Sequence, residues 1–95
     1  MHETKTNYAP RLQEVYSIFD SKANTYSRPM FEYHRGRMLR MFIDLANDKQ
    51  HPVGQHPEDY YLYCIGTFDE NTGKLTALDK EESLGKALDF AKQGE

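Results

Sequence analysis

Hydrophobic residues recur at two different periods along this chain. Over residues 12–19 (Leu12, Val15, Tyr16, Ile18, Phe19) they are β-branched and aromatic, and the run stops at Asp20-Ser21-Lys22-Ala23-Asn24, a set of turn formers. That pattern predicts a first strand and a turn. Pro29 removes a backbone donor and disfavours helix before it, so Met30 to Tyr33 are expected to be extended only briefly, as a short edge strand. From Gly36 to Asn47 the period changes. Met38, Leu39, Met41, Phe42, Ile43, Leu45 and Ala46 wind round a helix and leave Arg37, Arg40 and Asp44 on the remaining face. The apolar arc is wider than the stripe an ordinary surface helix needs, which suggests a second layer or another subunit against it.

Residues 47–57 hold two prolines and a glycine and read as the longest unstructured connection. Residues 60–68 form the strongest strand pattern, and Asp69-Glu70-Asn71-Thr72-Gly73 turns it back into a strand over 74–78, with Gly73 suited to a positive φ. Asp79 and Glu82 have capping-box spacing, and Leu84, Ala87, Leu88 and Ala91 then make a helical stripe ended by Gly94. The predicted fold class is α+β: one domain over residues 1–95, a small antiparallel sheet in the order β, (β), α, β, β, α, and two helices packed on one face. Residues 1–10 are expected to be a flexible N-terminal arm.

Side chains alternate between the faces of a strand. Leu62, Cys64, Gly66 and Phe68 share one side, expected to be the core with Val15 and Phe19. The other side would show Tyr61, Tyr63, Ile65 and Thr67 beside Tyr16 and Ile18, which is too apolar and aromatic to be left to water. Two covers fit: unpaired bases stacked on Tyr16, Tyr61 and Tyr63, or a second copy of the chain.

Charge sharpens the picture only locally. The net charge of −3 excludes an all-over basic nucleic-acid coat. The chain is polarised, however: residues 1–57 carry eight Lys and Arg against six acids, and residues 58–95 carry four Lys against nine acids. The one basic patch is Arg28, Arg35, Arg37 and Arg40 with His34, against the single acid Glu32. These arginines at the start of a helix are candidate phosphate ligands. The alternative is a solvated face with Arg40 paired to Asp44 at i,i+4.

Other chemistry finds little support. The lone Cys64 allows no internal disulfide and no paired-cysteine zinc site, and it sits mid-strand without an activating base. His51 and His56 beside prolines are ordinary loop residues, so no metal and no cofactor are expected. Asp69, Asn71 and Gly73 resemble a calcium loop, but Lys80 stands where a bidentate Glu is required. No phosphate-binding glycine loop, zinc-protease motif or nucleophile elbow occurs, so the expectation is a binding protein and not an enzyme. The first residues lack an apolar signal region, and no run is long enough to span a bilayer, so no membrane role is expected.

One order of residues is specific in combination. It runs Val15-Tyr16-Ser17-Ile18-Phe19-Asp20-Ser21-Lys22-Ala23, Arg28-Pro29-Met30-Phe31, Arg40-Met41-Phe42 with Asp44 and Asn47-Asp48, His56-Pro57-Glu58-Asp59-Tyr60-Tyr61-Leu62-Tyr63, Ile65-Gly66-Thr67-Phe68-Asp69 and Thr72-Gly73. Over residues 15–79 this resembles the small nonstructural protein of gokushoviruses, single-stranded DNA phages of the Microviridae. Met30 departs from the aromatic expected after the proline. The resemblance implies a protein of the bacterial host's cytoplasm, made during infection and absent from the finished capsid. Members of that family are commonly labelled DNA-binding and likened to the small protein that turns related phages from duplex replication to single-strand synthesis and packaging. It transfers no catalytic or binding residues. Two functions follow: a homo-oligomeric, non-enzymatic accessory protein that binds single-stranded DNA or the replication and packaging assembly, or a protein-interaction module acting on a phage replication protein or host factor without touching DNA.

Overall fold

A computed structural model describes residues 11–92; the expected N-terminal arm over 1–10 and the Gly94 helix stop lie outside them. Strand β1 (Leu12–Asp20) is the axis of one antiparallel sheet. Along one edge it pairs with β2 (Thr25–Tyr26) and β3 (Met30–Glu32), and along the other with β4 (Tyr60–Asp69), which pairs in turn with β5 (Lys74–Lys86). The turn after β1 forms as expected: the Asp20 carboxylate accepts the Lys22 and Ala23 N–H groups, and Asn24 takes a φ of 61°.

The helical layer covers one face only. Helix α1 (Arg35–Ala46) buries Met38, Phe42 and Ala46, one residue per turn, against Tyr16, Leu62 and Cys64 of the sheet. Its wide apolar arc is used within the chain, because Leu39, Met41 and Leu45 pack on the same core while Val53 of α2 (Pro52–Gln55) and Ala87 and Phe90 of α3 (Ala87–Phe90) close round it. Only Ile43 of the arc is exposed. Asn47 holds the ends together: its amide donates to the Ile43 and Phe90 carbonyls and its oxygen accepts the Lys92 N–H.

Three expectations are corrected. The connection over 47–57 is ordered, since the His51 side chain caps α2 by accepting the Val53 N–H, Pro52 supplies a preset first helical φ, and a 3₁₀ turn (Pro57–Asp59) leads into β4. The helix expected from Asp79 to Gly94 shrinks to Ala87–Phe90, because β5 continues to Lys86. Pairing of Glu82, Ser83, Gly85 and Lys86 with β4 outweighs the local helical spacing, and Glu82 bonds Arg35 instead of closing a capping box. The expected face assignment is partly inverted. Tyr16 lies opposite Cys64 and Ile18 opposite Leu62, both on the helix side, and Tyr16 is fully buried. Phe19 lies opposite Tyr61 on the open side, and Val15 lies opposite Gly66 and Phe31.

The cause is a bulge. Val15 and Tyr16 face Gly66 and Cys64, so Ile65 is the extra residue on β4. Beyond it Gly66 and Phe68 turn to the open side, where Phe68 meets Phe31 edge-on with ring centres 5.5 Å apart. A second, larger bulge on β5 sets residues 78–81 between the partners of Gly66 and Cys64. It breaks up the long exposed edge that residues 74–83 present.

Candidate functional site

The open side of the sheet carries a cluster of aromatic rings that no helix among the described residues covers. Phe19 and Tyr26 are brought together by β1–β2 pairing, with ring centres 4.7 Å apart, and Tyr63 stands 6.3 Å from Phe19 and 6.1 Å from Tyr26. Tyr61 stacks on Tyr63 at 6.4 Å with the planes 29° apart. The Lys86 ammonium lies 5.5 Å over the Tyr61 ring, and the Tyr26 hydroxyl donates to Glu81 of the β5 bulge. Tyr26 is 48% exposed and the other three are half-buried, so ring faces and edges reach solvent.

Tyr61 and Tyr63 therefore sit where the alternation placed them, and Tyr16 does not. Its hydroxyl donates to Glu14 beneath the helical layer, and burial, followed by the Glu14 carboxylate, raises its pKa. Two members of the cluster, Phe19 and Tyr26, were missed from the sequence. The available signal was Thr25-Tyr26, a β-branched and aromatic pair directly after the Asp20 turn, which a hairpin would fold back onto Phe19.

The four arginines do not act as one patch. The Arg35 guanidinium is held by two carboxylates: Nε and Nη2 donate to Glu14 at 3.0 and 2.9 Å, and Nη1 and Nη2 donate to Glu82 at 2.9 and 3.0 Å. A phosphate would have to displace both. Glu32 accepts the His34 N–H at the start of α1 and lies 3.9 Å from Arg37, so this helix end already faces acids, which opposes anion binding there. Arg28 and Arg40 have no ion pair among the described residues, so the Arg40–Asp44 pair of the alternative reading is not formed.

The remaining candidates resolve as follows. Cys64 is buried, and burial pushes its thiol pKa up, which suits a packed thiol and not a nucleophile. Asp69, Asn71 and Gly73 shape the hairpin: the Asp69 carboxylate accepts the Asn71 N–H and its carbonyl accepts the Gly73 N–H at 2.7 Å. His56, Glu58 and Asp59 place ligand-type atoms within 4.8 Å of one another, a grouping that attention to His51, His56 and Cys64 did not anticipate. His56 and Glu58 are exposed. Among the described residues no helix is long and apolar enough to cross a membrane.

No curated protein and no solved structure matches this chain. The phage ORF5 protein family does, over residues 13–90, a span that takes in all of the described sheet but Leu12, the described helices and the aromatic face. The chain therefore belongs to the phage ORF5 protein family.

Proposed function

We propose that this chain is a non-enzymatic phage accessory protein that binds single-stranded DNA by stacking bases on its open aromatic face. The observation that carries the proposal is the cluster of Phe19, Tyr26, Tyr61 and Tyr63 on the side of the sheet that the helices leave bare. Rings on a sheet take bases of any sequence, with about 1–3 kcal/mol per stacked base. Lys86 at the edge of the cluster supplies positive charge without an acid paired to it among the described residues. The resemblance to gokushovirus nonstructural proteins supports the same reading, with the action in the host cytoplasm, at genome synthesis or packaging, as part of the proposal.

A second reading is kept on one observation. At the exposed β5 bulge Asp79, Glu81 and Glu82 stand against Lys80 alone, a locally acidic edge in a chain of net charge −3. Such an edge suits a basic phage replication protein or host factor better than it suits DNA. A titration of intrinsic tyrosine fluorescence with oligothymidylate and with duplex DNA, at low and moderate salt, separates the two. Single-strand binding that falls at least tenfold in Tyr63→Ala, with the fold intact, is the expected result; no binding of either DNA by the parent at low salt overturns the first reading in favour of the second.

A further inference from the structure

We propose that the cleft at the β2 edge is a nucleotide subsite, which takes the base next in line to those on the aromatic face and sets Arg28 on its phosphate. The proposal rests on the single-strand reading above and extends its path round the end of the sheet.

The cleft has a volume of about 440 Å³ and opens between the β1–β2 hairpin on one side and the end of α1 with α2 on the other. That falls within the range of small-ligand sites, roughly 300–1,000 Å³. Its floor is apolar, made by Ile18, Met30, Leu45 and Val53, all four of which pack on or belong to the core and one of which, Met30, adapts its shape readily. A flat, apolar base face suits such a floor.

The polar groups at the rim are few and differ in kind. His51 accepts the Val53 N–H through Nδ1, so in the neutral imidazole the proton is on Nε2, a donor for a base edge. Asp20 uses Oδ1 on two backbone N–H groups of its own turn, and its carboxylate also faces the Tyr60 hydroxyl at the rim. Arg28 is exposed, lines the cleft and has no ion pair among the described residues, unlike Arg35 and Arg37. One unpaired cation beside an apolar cavity is the complement of one phosphate beside one base.

Continuity with the face comes from Tyr26. It borders the cleft and also packs against Phe19 and Tyr63 on the open side. Strand β2 is two residues long, so a chain leaving Tyr63 has only this narrow edge to cross. The loop before Arg28 is fixed for the purpose: Ser17 donates to the Ser27 carbonyl, and the Ser27 hydroxyl accepts the Ile18 N–H.

The test uses the full chain and oligothymidylates of two to eight nucleotides, with binding followed at several salt concentrations. Arg28→Ala removes the cation, and Thr25→Trp fills the cleft mouth from an exposed position while the face stays intact. The expected result is that Arg28→Ala weakens binding of the longer oligomers about tenfold, the size of one charge-assisted hydrogen bond. It also lowers the salt slope by roughly 0.7, the value for one phosphate on a single strand. Thr25→Trp abolishes the gain in affinity between short and long oligomers. If both variants bind like the parent while Tyr63→Ala is impaired, the subsite is wrong and the face reading stands. If the parent binds no oligomer, both are overturned. Should Thr25→Trp fail to fold, Arg28→Ala alone decides, through its affinity and its salt slope.

Discussion

Arg35 closes on Glu14 through two parallel hydrogen bonds, and the same guanidinium reaches Glu82 on the far strand. One side chain thus ties the start of α1 to both the central strand and the outer strand of the sheet. The Arg35 hydrogen bonds hold the Glu14 carboxyl below its ordinary range, with smaller help from Tyr16 and against the effect of burial; Arg35 does the same for Glu82. A carboxyl depressed in the folded state adds stability that is complete above its unfolded pKa, about 4.3 for Glu, and is lost as pH falls through the lower folded value. Stability should therefore decline as the pH drops below about 5. Arg35→Ala should flatten that decline and cost about 1–3 kcal/mol near neutral pH, since it strands a half-buried carboxylate. Urea melts at pH 7 and pH 4 check both; an unchanged pH slope in the variant contradicts the assignment.

How far such relationships could be read beforehand depends on whether they are local. The first strand, the turn at Asp20, α1 and the hairpin at Gly73 are specified by neighbours in sequence, and they form where the pattern put them. The faces of β1 were not legible, because Val15 and Phe19 are as apolar as Tyr16 and Ile18, so either parity fits a core. The choice is made by the Ile65 bulge and by Glu14, which Arg35 draws to the helix side and Tyr16 with it. The Asp79–Gly94 helix failed for a related reason: its spacing is helical, but strand pairing over Glu82 to Lys86 recruits the same residues through contacts distant in sequence. The arginines looked alike in sequence because the acids that neutralise Arg35 lie 21 and 47 residues away.

Gly73 has a φ of 78°, and a Cβ built there would meet nothing within 4 Å. Any penalty for a side chain is therefore backbone strain and not a clash. Gly73→Val should lower stability by about 1–2 kcal/mol, the left-handed cost for a branched residue, and Gly73→Asn by clearly less. Thermal melts of the pair provide the check. Equal losses in the two variants would point to something other than the turn conformation.

Homo-oligomerisation is best sought at the far end of the open side. There Phe31 is 43% exposed and Leu75 60%, beside Phe68, and the helical layer gives no cover. We propose that this end meets a second copy, which hides an apolar patch without blocking the tyrosines. The parent should run as a dimer or larger in light scattering at micromolar concentration. Leu75→Lys combined with Phe31→Lys should give a folded monomer that still binds oligothymidylate. A monomeric parent, or a double variant of unchanged mass, would place any assembly elsewhere or remove it.

The last expectation concerns which cations a bound strand would feel. Arg35 is engaged by Glu14 and Glu82, and Arg37 has Glu32 at 3.9 Å, so neither offers a free charge. Arg40 has no ion pair among the described residues, but it belongs to α1, on the opposite side of the sheet from Tyr61 and Tyr63. Coulomb attraction across that distance is largely screened once salt shortens the Debye length to about 8–10 Å. Arg40→Ala and Arg37→Ala should then leave the affinity for short oligothymidylates within about twofold and the salt slope unchanged, because neither residue neutralises a phosphate. Tyr61→Ala and Tyr63→Ala should lose about tenfold or more each, in keeping with one stacked base. Arg35→Ala should act on stability and change binding only where unfolding begins. If instead Arg40→Ala costs as much as Tyr63→Ala and reduces the salt slope, the strand runs along the helix and not over the aromatic face.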